Sequence, residues 1–268
     1  MTFTFKVWEN IKKAWGLYKE NFSQMMILTL IMLAIQFISK SLSKDNSNSL
    51  LVFILVIVSI LVSYIWIRST LSLLDGKGFN PFSKESLPSF AQIWDFVKTN
   101  ILLALCVVPF FIIPVFVTAM IVVSSVLAGI GPVITLSMLI ILIPLFILFI
   151  IPAIYVASRL FPAKYLSVDK YQGARKNIRE SWNMTKGIGW KITGKILLVA
   201  LFILLGFVAF VVGLIITLPI GMIVLTMMYR DIAKLKNESI ASVVESPVAP
   251  MTPEAIPVEK EEIKEEVK

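Results

Sequence analysis

The chain has 268 residues, of which 57% are hydrophobic and 16% charged, with a formal net charge of +8. Soluble domains sit at roughly 45–50% apolar and about 25% charged, so a mean hydropathy of +0.87 excludes a water-soluble fold. One cysteine, Cys106, and no histidine exclude a disulfide framework within the chain, a cysteine metal site and the usual base near neutral pH.

Residues 1–21 are polar and amphipathic. At 100° per residue Val7, Trp8, Ile11, Ala14, Trp15 and Tyr18 fall within an arc of about 120°, while Lys6, Glu9, Lys13 and Glu20 fall opposite. That pattern predicts a helix lying in the headgroup plane. No cleavable signal segment is visible, and the first span itself is expected to direct insertion.

A bilayer core about 30 Å thick takes roughly 20 helical residues. Phe22–Ile38 reads as the first span, Lys40 to Asn48 as a polar loop, and Leu50–Ile67 as the second span, closed by Arg68. Asp75 to Pro81 is rich in turn formers. Phe90, Ile93, Trp94 and Val97 then mark a second amphipathic helix.

From Ile101 to Ser158 no residue is charged; one helix of that length would reach about 87 Å. It must hold the third and fourth spans, with a turn expected at Gly129-Ile130-Gly131-Pro132. Pro109 and Pro114 would kink the third, and Pro144 and Pro152 the fourth. A third amphipathic helix follows, with Tyr171, Ala174, Ile178 and Trp182 on one face and Arg175, Lys176, Arg179 and Lys186 on another. The uncharged run Ile196–Tyr229 must also fold back, with the turn expected near Gly213. Its helices start as early as Trp190, because Lys191 and Lys195 can snorkel. Gly206, Gly213 and Gly221 would permit close helix approach there.

The expected fold class is therefore an all-α membrane protein of six transmembrane helices in three hairpins. Each hairpin follows an amphipathic interfacial helix. Continuous apolar runs argue against a β-barrel. The unit repeats near 5–74, 88–160 and 171–234: Trp-x-x-x-Lys recurs at Trp15–Lys19, Trp94–Lys98 and Trp182–Lys186, and each even span closes on Arg68, Arg159 or Arg230. Trp15, Trp94, Trp182 and Trp190 are the expected interfacial anchors.

Residues 1–236 form the membrane domain and 237–268 an acidic, Pro- and Glu-rich tail, expected to be disordered apart from a short helix near Val258–Val267. The first part holds 22 Lys/Arg and 9 Asp/Glu, the tail 3 Lys and 8 Glu. Short loops on one side carry nearly all the cations, the other side only Lys40 and Lys44. This bias puts both termini in the cytoplasm and explains the basic total without nucleic acid. The expected location is a bacterial plasma (inner) membrane.

"AWGLYKENFSQMMILTL" and "NIRESWNMTKGIGWKITGKILLVALFILL", followed by "LPIGMIVLTMMYRDIAK", resemble a loose group of bacterial six-span membrane proteins. The group includes the membrane domain found beside glycerophosphodiester phosphodiesterase catalytic domains. The likeness covers residues 1–236, most specifically 175–234. It implies a membrane module without the catalytic barrel, so no catalytic residue carries over.

The span interiors hold no ionisable residue. Ser59, Ser63, Thr118, Ser124, Ser125, Thr135 and Thr217 are expected to bond to the preceding helical turn. Asp75, Asp95, Asp169, Glu180 and Asp231 at the cytoplasmic boundary lack metal-ligand spacing. No catalytic residue, metal site or cofactor is expected. The reading is a non-enzymatic protein that organises lipid or partner proteins at the cytoplasmic face. Arg175, Lys176, Arg179, Lys186 and Lys191 are the candidate contacts for an anionic phospholipid headgroup or a membrane or cytoplasmic protein partner. The alternative is a transporter or channel for a small apolar or lipid-like substrate, entered between the proline-kinked spans.

Overall fold

The computed structural model describes residues 4–42, 49–84, 86–127, 136–208 and 210–244. Among them it contains nine α-helices and no strand. These are α1 (Val7–Glu20), α2 (Phe22–Leu42), α3 (Ser49–Leu74), α4 (Phe90–Val107), α5 (Pro109–Leu127), α6 (Leu136–Asp169), α7 (Ala174–Met184), α8 (Gly189–Val208) and α9 (Phe210–Val244). Six helical stretches are long and apolar enough to cross a membrane: Phe22–Leu42, Leu50–Leu74, Phe90–Val107, Leu142–Asp169, Gly189–Val208 and Gly213–Asn237. α2 packs on α3, α4 and α5 both on α6, and α8 on α9; within α5, Pro109–Ile121 is apolar but shorter than those six stretches.

Several boundaries differ from the expectations. The even helices do not stop at arginine: α3 runs on from Arg68 to Leu74, α6 from Arg159 to Asp169, and α9 from Arg230 to Val244. Each guanidinium finds acceptors on a neighbouring element, so its charge need not end the helix. The second amphipathic stretch is no separate helix but the first turns of α4, because Ser89 caps it by donating its backbone N–H to Gln92 Oε1 at 3.0 Å. Pro109 does more than kink the third span. It stands at the first position of α5, where its missing N–H is harmless, and Val108 alone separates α4 from α5, keeping a helical φ of −54°.

α8 ends at Val208 and α9 begins at Phe210, so Gly213 lies in the first turn of α9, close to the expected fold-back. The fold-back expected at 129–132, most of the polar loop after Lys40, and the tail from 245 lie outside the described residues.

Small residues set how closely α8 and α9 approach. A β-carbon on Gly206 would stand 2.0 Å from Thr217 Oγ1, and one on Gly221 would stand 2.6 Å from Ile203 Cδ1. Thr217 lies near its own helix, donating to Gly213 O at 3.0 Å. Thr118 and Ser124 also bond one turn back, to Pro114 O and Ile121 O. Polar side chains within apolar helices thereby satisfy themselves locally.

Burial concentrates at the end of the helices where the charges lie. Trp66, Ile67 and Leu71 of α3, Phe96 of α4, Tyr165 and Leu166 of α6, and Val224, Met228, Tyr229 and Ile232 of α9 are buried together. α1 closes this core through Ala14 and Tyr18, and Phe79 of the α3–α4 loop packs edge-on against Trp66. α9 is the central helix: 44% of its apolar window is buried, against 17–22% in the other five. It touches α1, α2, α3, α6, α7 and α8.

Candidate functional site

Three polar clasps fix the charged end, and two hollows lie between them. The first clasp joins α6 to α7. Arg159 is 9% exposed. Its Nη2 donates to Trp182 O at 2.8 Å and its Nε to Thr185 Oγ1 at 3.3 Å. Its guanidinium lies 3.7 Å from the Trp182 ring centroid. Ser181 Oγ returns a hydrogen bond to Arg159 O at 2.9 Å. A planar guanidinium can donate sideways and stack at once; an ammonium cannot.

The second clasp joins α7 to α4: Asn177 Nδ2 donates to Asp95 Oδ2 and to Thr99 Oγ1, both at 3.2 Å. The third joins the ends of α3 and α6 to α9. Arg230 of α9 bonds Asp75 Oδ2 at 2.7 Å and Asp169 Oδ2 at 3.1 Å. Tyr229 donates its hydroxyl to the same Asp169 oxygen at 2.8 Å, and Arg68 reaches Val168 O at 3.4 Å. Asp75 is held by the end of α3. There Lys77 N–H bonds Ser72 O and Gly76 N–H bonds Leu73 O, the paired closure of a helix whose next residue, Gly76, has φ +79°.

Between Arg68, Ser72, Asp75, Lys77, Asn80, Ser83, Ser86 and Asp169 lies a polar cavity of about 320 Å³. Its loop wall is braced by Ser86 and Ser83, whose hydroxyls both donate to Asn80 O. Both of its acids are already bound by Arg230.

The second hollow is a groove of about 680 Å³ along α7 and α9, lined by Lys170, Lys176, Arg179, Glu180, Asn183, Met184, Lys186, Lys236 and Asn237. Five cations surround one carboxylate. Glu180 accepts from Lys170 Nζ at 2.7 Å and from Gln172 Nε2. Burial alone would raise its pKa, but these bonds, with the nearby charges of Lys170 and Lys176, hold the carboxyl below its ordinary range. The side chains of Arg179 and Lys186 have no acid or ring partner among the described residues, so the groove presents uncompensated positive charge.

Of the expected contacts, Lys176, Arg179 and Lys186 meet in this groove. Arg175 lies next to it, in a hollow of about 300 Å³ that shares Arg179 and Asn183. Lys191 is exposed on the first turn of α8 and lines neither. Lys170 and Lys236 were not among the expected contacts. Lys170 lies beyond the end of α6, and Lys236 is 50 residues or more from α7 in sequence, so only the packing of α9 brings it in.

The four expected anchors are partly exposed, Trp15, Trp94, Trp182 and Trp190 at 39–65%, whereas Trp66 is buried in the core. Lys19 lies 5.3 Å from the Trp15 ring and Lys98 lies 5.9 Å from Trp94. The third Trp-x-x-x-Lys departs from this pattern, since Arg159 takes the Trp182 face and leaves Lys186 to the groove. Trp190 packs against Tyr155 with centroids 4.8 Å apart.

The acids do not assemble into a reactive cluster. Asp75 and Asp169 share Arg230, Asp95 serves Asn177, Glu180 holds Lys170, and Asp231 is part-buried on α9. Among the described residues no group of three or more Cys, Asp or Glu is placed to hold a metal ion. No protein-family model matches the chain, and no curated protein and no solved structure matches it significantly; the likeness noted for residues 175–234 rests on the sequence motifs alone.

Proposed function

We propose that the protein is a non-enzymatic, multi-pass membrane module that binds an anionic phospholipid headgroup, or an acidic protein partner, in the groove between α7 and α9. On this reading the six apolar stretches cross a bacterial plasma membrane as three hairpins, with α1 and α7 in the cytoplasmic headgroup layer and both termini in the cytoplasm. The carrying observation is the groove itself, where Lys176, Arg179 and Lys186 gather with Lys170 and Lys236 around a single carboxylate. Near an anionic leaflet each basic residue is worth about 1 kcal/mol. The groove adds shape to that charge.

Two measurements test this. Gently purified protein should carry phosphatidylglycerol or another anionic lipid in excess over its share of the membrane. The Arg175→Ala, Lys176→Ala, Arg179→Ala variant should lose most of that excess; equal recovery from both proteins refutes the reading. In a Cys106→Ala background, an impermeant thiol reagent should label Ile130→Cys and Arg175→Cys from opposite sides of the membrane. Labelling from one side would overturn the hairpin topology.

The alternative, passage of a lipid-like molecule, calls for a hollow beside Pro109–Pro114 and Pro144–Pro152. Of the hollows described above, those beside Asp75 and Lys186 lie at the charged end, and the one beside Arg175 reaches Cys106 and Val156, about one turn from Pro109 and Pro152. Liposome flux above that of empty liposomes would revive it.

A further inference from the structure

The groove has a source of negative charge in its own chain. Its wall ends on Lys236 and Asn237, and α9 continues as helix to Val244. The stretch 245–268 then holds seven Glu and three Lys, a net −4. Lys170, Lys176, Arg179 and Lys186 against Glu180 give the groove lining a net +3 before Lys236 is counted.

We infer that the acidic stretch Glu259–Glu266 docks in the α7–α9 groove and competes with the anionic headgroup for it. This rests on the reading of the groove as an anion site. The geometry allows it. From Asn237 to Val244 the helix advances only about 10 Å. The 14 residues between Val244 and Glu259 include Pro247, Pro250, Pro253 and Pro257, and a Pro-rich linker of that length can reach about 45 Å at about 3.1 Å per residue, enough to return to α7. The tether makes docking an intramolecular step, which raises the effective concentration of the carboxylates at the groove.

The chemistry matches as well. Glu180 already shows that carboxylates are bound here, by Lys170. Arg179 and Lys186 have no acid partner among the described residues, and an arginine takes a carboxylate through two parallel N–H bonds. An anionic leaflet would repel the stretch and leave the groove as the nearest concentrated positive charge. The contact is electrostatic, so it weakens as salt rises. The result is a chain that occupies its own headgroup site until a lipid of sufficient surface density displaces it.

The test uses the full chain, one copy per phosphatidylcholine nanodisc. Zero-length carbodiimide cross-linking at low salt should join glutamates of 259–266 to Lys176 or Lys186. Arg179→Ala, which removes no cross-linkable amine, should cut the yield. Binding of monomeric dihexanoyl-phosphatidylglycerol is then compared with a variant carrying Gln in place of Glu259, Glu261, Glu262, Glu265 and Glu266. The variant should bind about fivefold to tenfold more tightly at low salt, and the difference should vanish at high salt.

Joins spread evenly over Lys12, Lys13 and Lys77 would overturn the docking. Equal lipid binding by the two proteins would overturn the competition. If the joins form but neither protein binds the lipid, the docking stands and the headgroup reading falls. If lipid binds but no joins form, the headgroup reading stands and the docking falls.

Discussion

The two ends of the helices are built on different principles. At the charged end, side chains from α1, α3, α4, α6, α7 and α9 bury one another, and Trp66, Phe96, Leu166 and Tyr229 are at most 2% exposed. Along the apolar lengths, Phe53, Leu105, Phe116, Leu148 and Leu205 are all more than 60% exposed. A soluble protein could not carry so much apolar surface. In lipid there is no hydrophobic gain in bringing such faces together. The packed end is therefore held by burial and by clasps of hydrogen bonds. The apolar lengths are held mainly where small residues let backbones touch, at Gly206 and Gly221.

The largest effect is expected at the packed end. Arg159→Ala strips the α6–α7 clasp, leaving the Trp182 ring without its cation and Trp182 O with only the longer bond from Thr185 Oγ1 at 3.2 Å, a loss of about 2–4 kcal/mol. Arg159→Lys should restore only a minor part, because a lysine cannot both fork and stack. Unfolding in mild detergent, followed by tryptophan fluorescence, would read both. A melting temperature unchanged in Arg159→Ala would show that the packed end does not depend on this clasp.

Next comes the apolar contact. Gly206→Ala sets a methyl 2.0 Å from Thr217 Oγ1 and should cost about 1–3 kcal/mol by forcing α8 and α9 apart. Thr217→Ala in the same chain should recover part of this, since it removes the γ atoms at 2.0 and 2.6 Å and leaves the β-carbon at 2.8 Å. Failure of that rescue would place the strain elsewhere.

The smallest effect belongs to Glu180, whose partner Lys170 is half-exposed. Glu180→Gln should cost under about 1 kcal/mol at neutral pH. The folded-state pKa is depressed, so the stability this carboxylate adds is present above its unfolded value, near 4.3. It is lost as pH falls through the lower folded value. Wild type and variant should therefore converge in acid, and a gap that widens below about pH 4 would contradict the assignment.

The spans were legible because continuous apolar length is a strong signal and length alone fixes how many crossings fit. Helix ends were harder to read. Gly213 looks like a hinge, yet it lies within the first turn of α9, which begins at Phe210. Arg68, Arg159 and Arg230 look like stop signals, yet each has acceptors on another helix. The groove was legible where spacing along one helix sufficed, for Lys176, Arg179 and Lys186. It was not where a distant helix supplies the wall, as with Lys236, nor for the meeting of Asp75 and Asp169 on Arg230. Local periodicity holds no record of which helix packs at the centre.

That centre is occupied by α9, the last of the described helices in chain order. While the nascent protein inserts, Asp75 and Asp169 emerge well before the cation that neutralises both, and Trp66, Leu166 and Tyr165 wait uncovered for Tyr229 and its neighbours. A chain without α9 would leave both carboxylates without their shared guanidinium and the Tyr165 ring without its stacking partner at once. One late-arriving helix thus neutralises and covers the charged end in a single step.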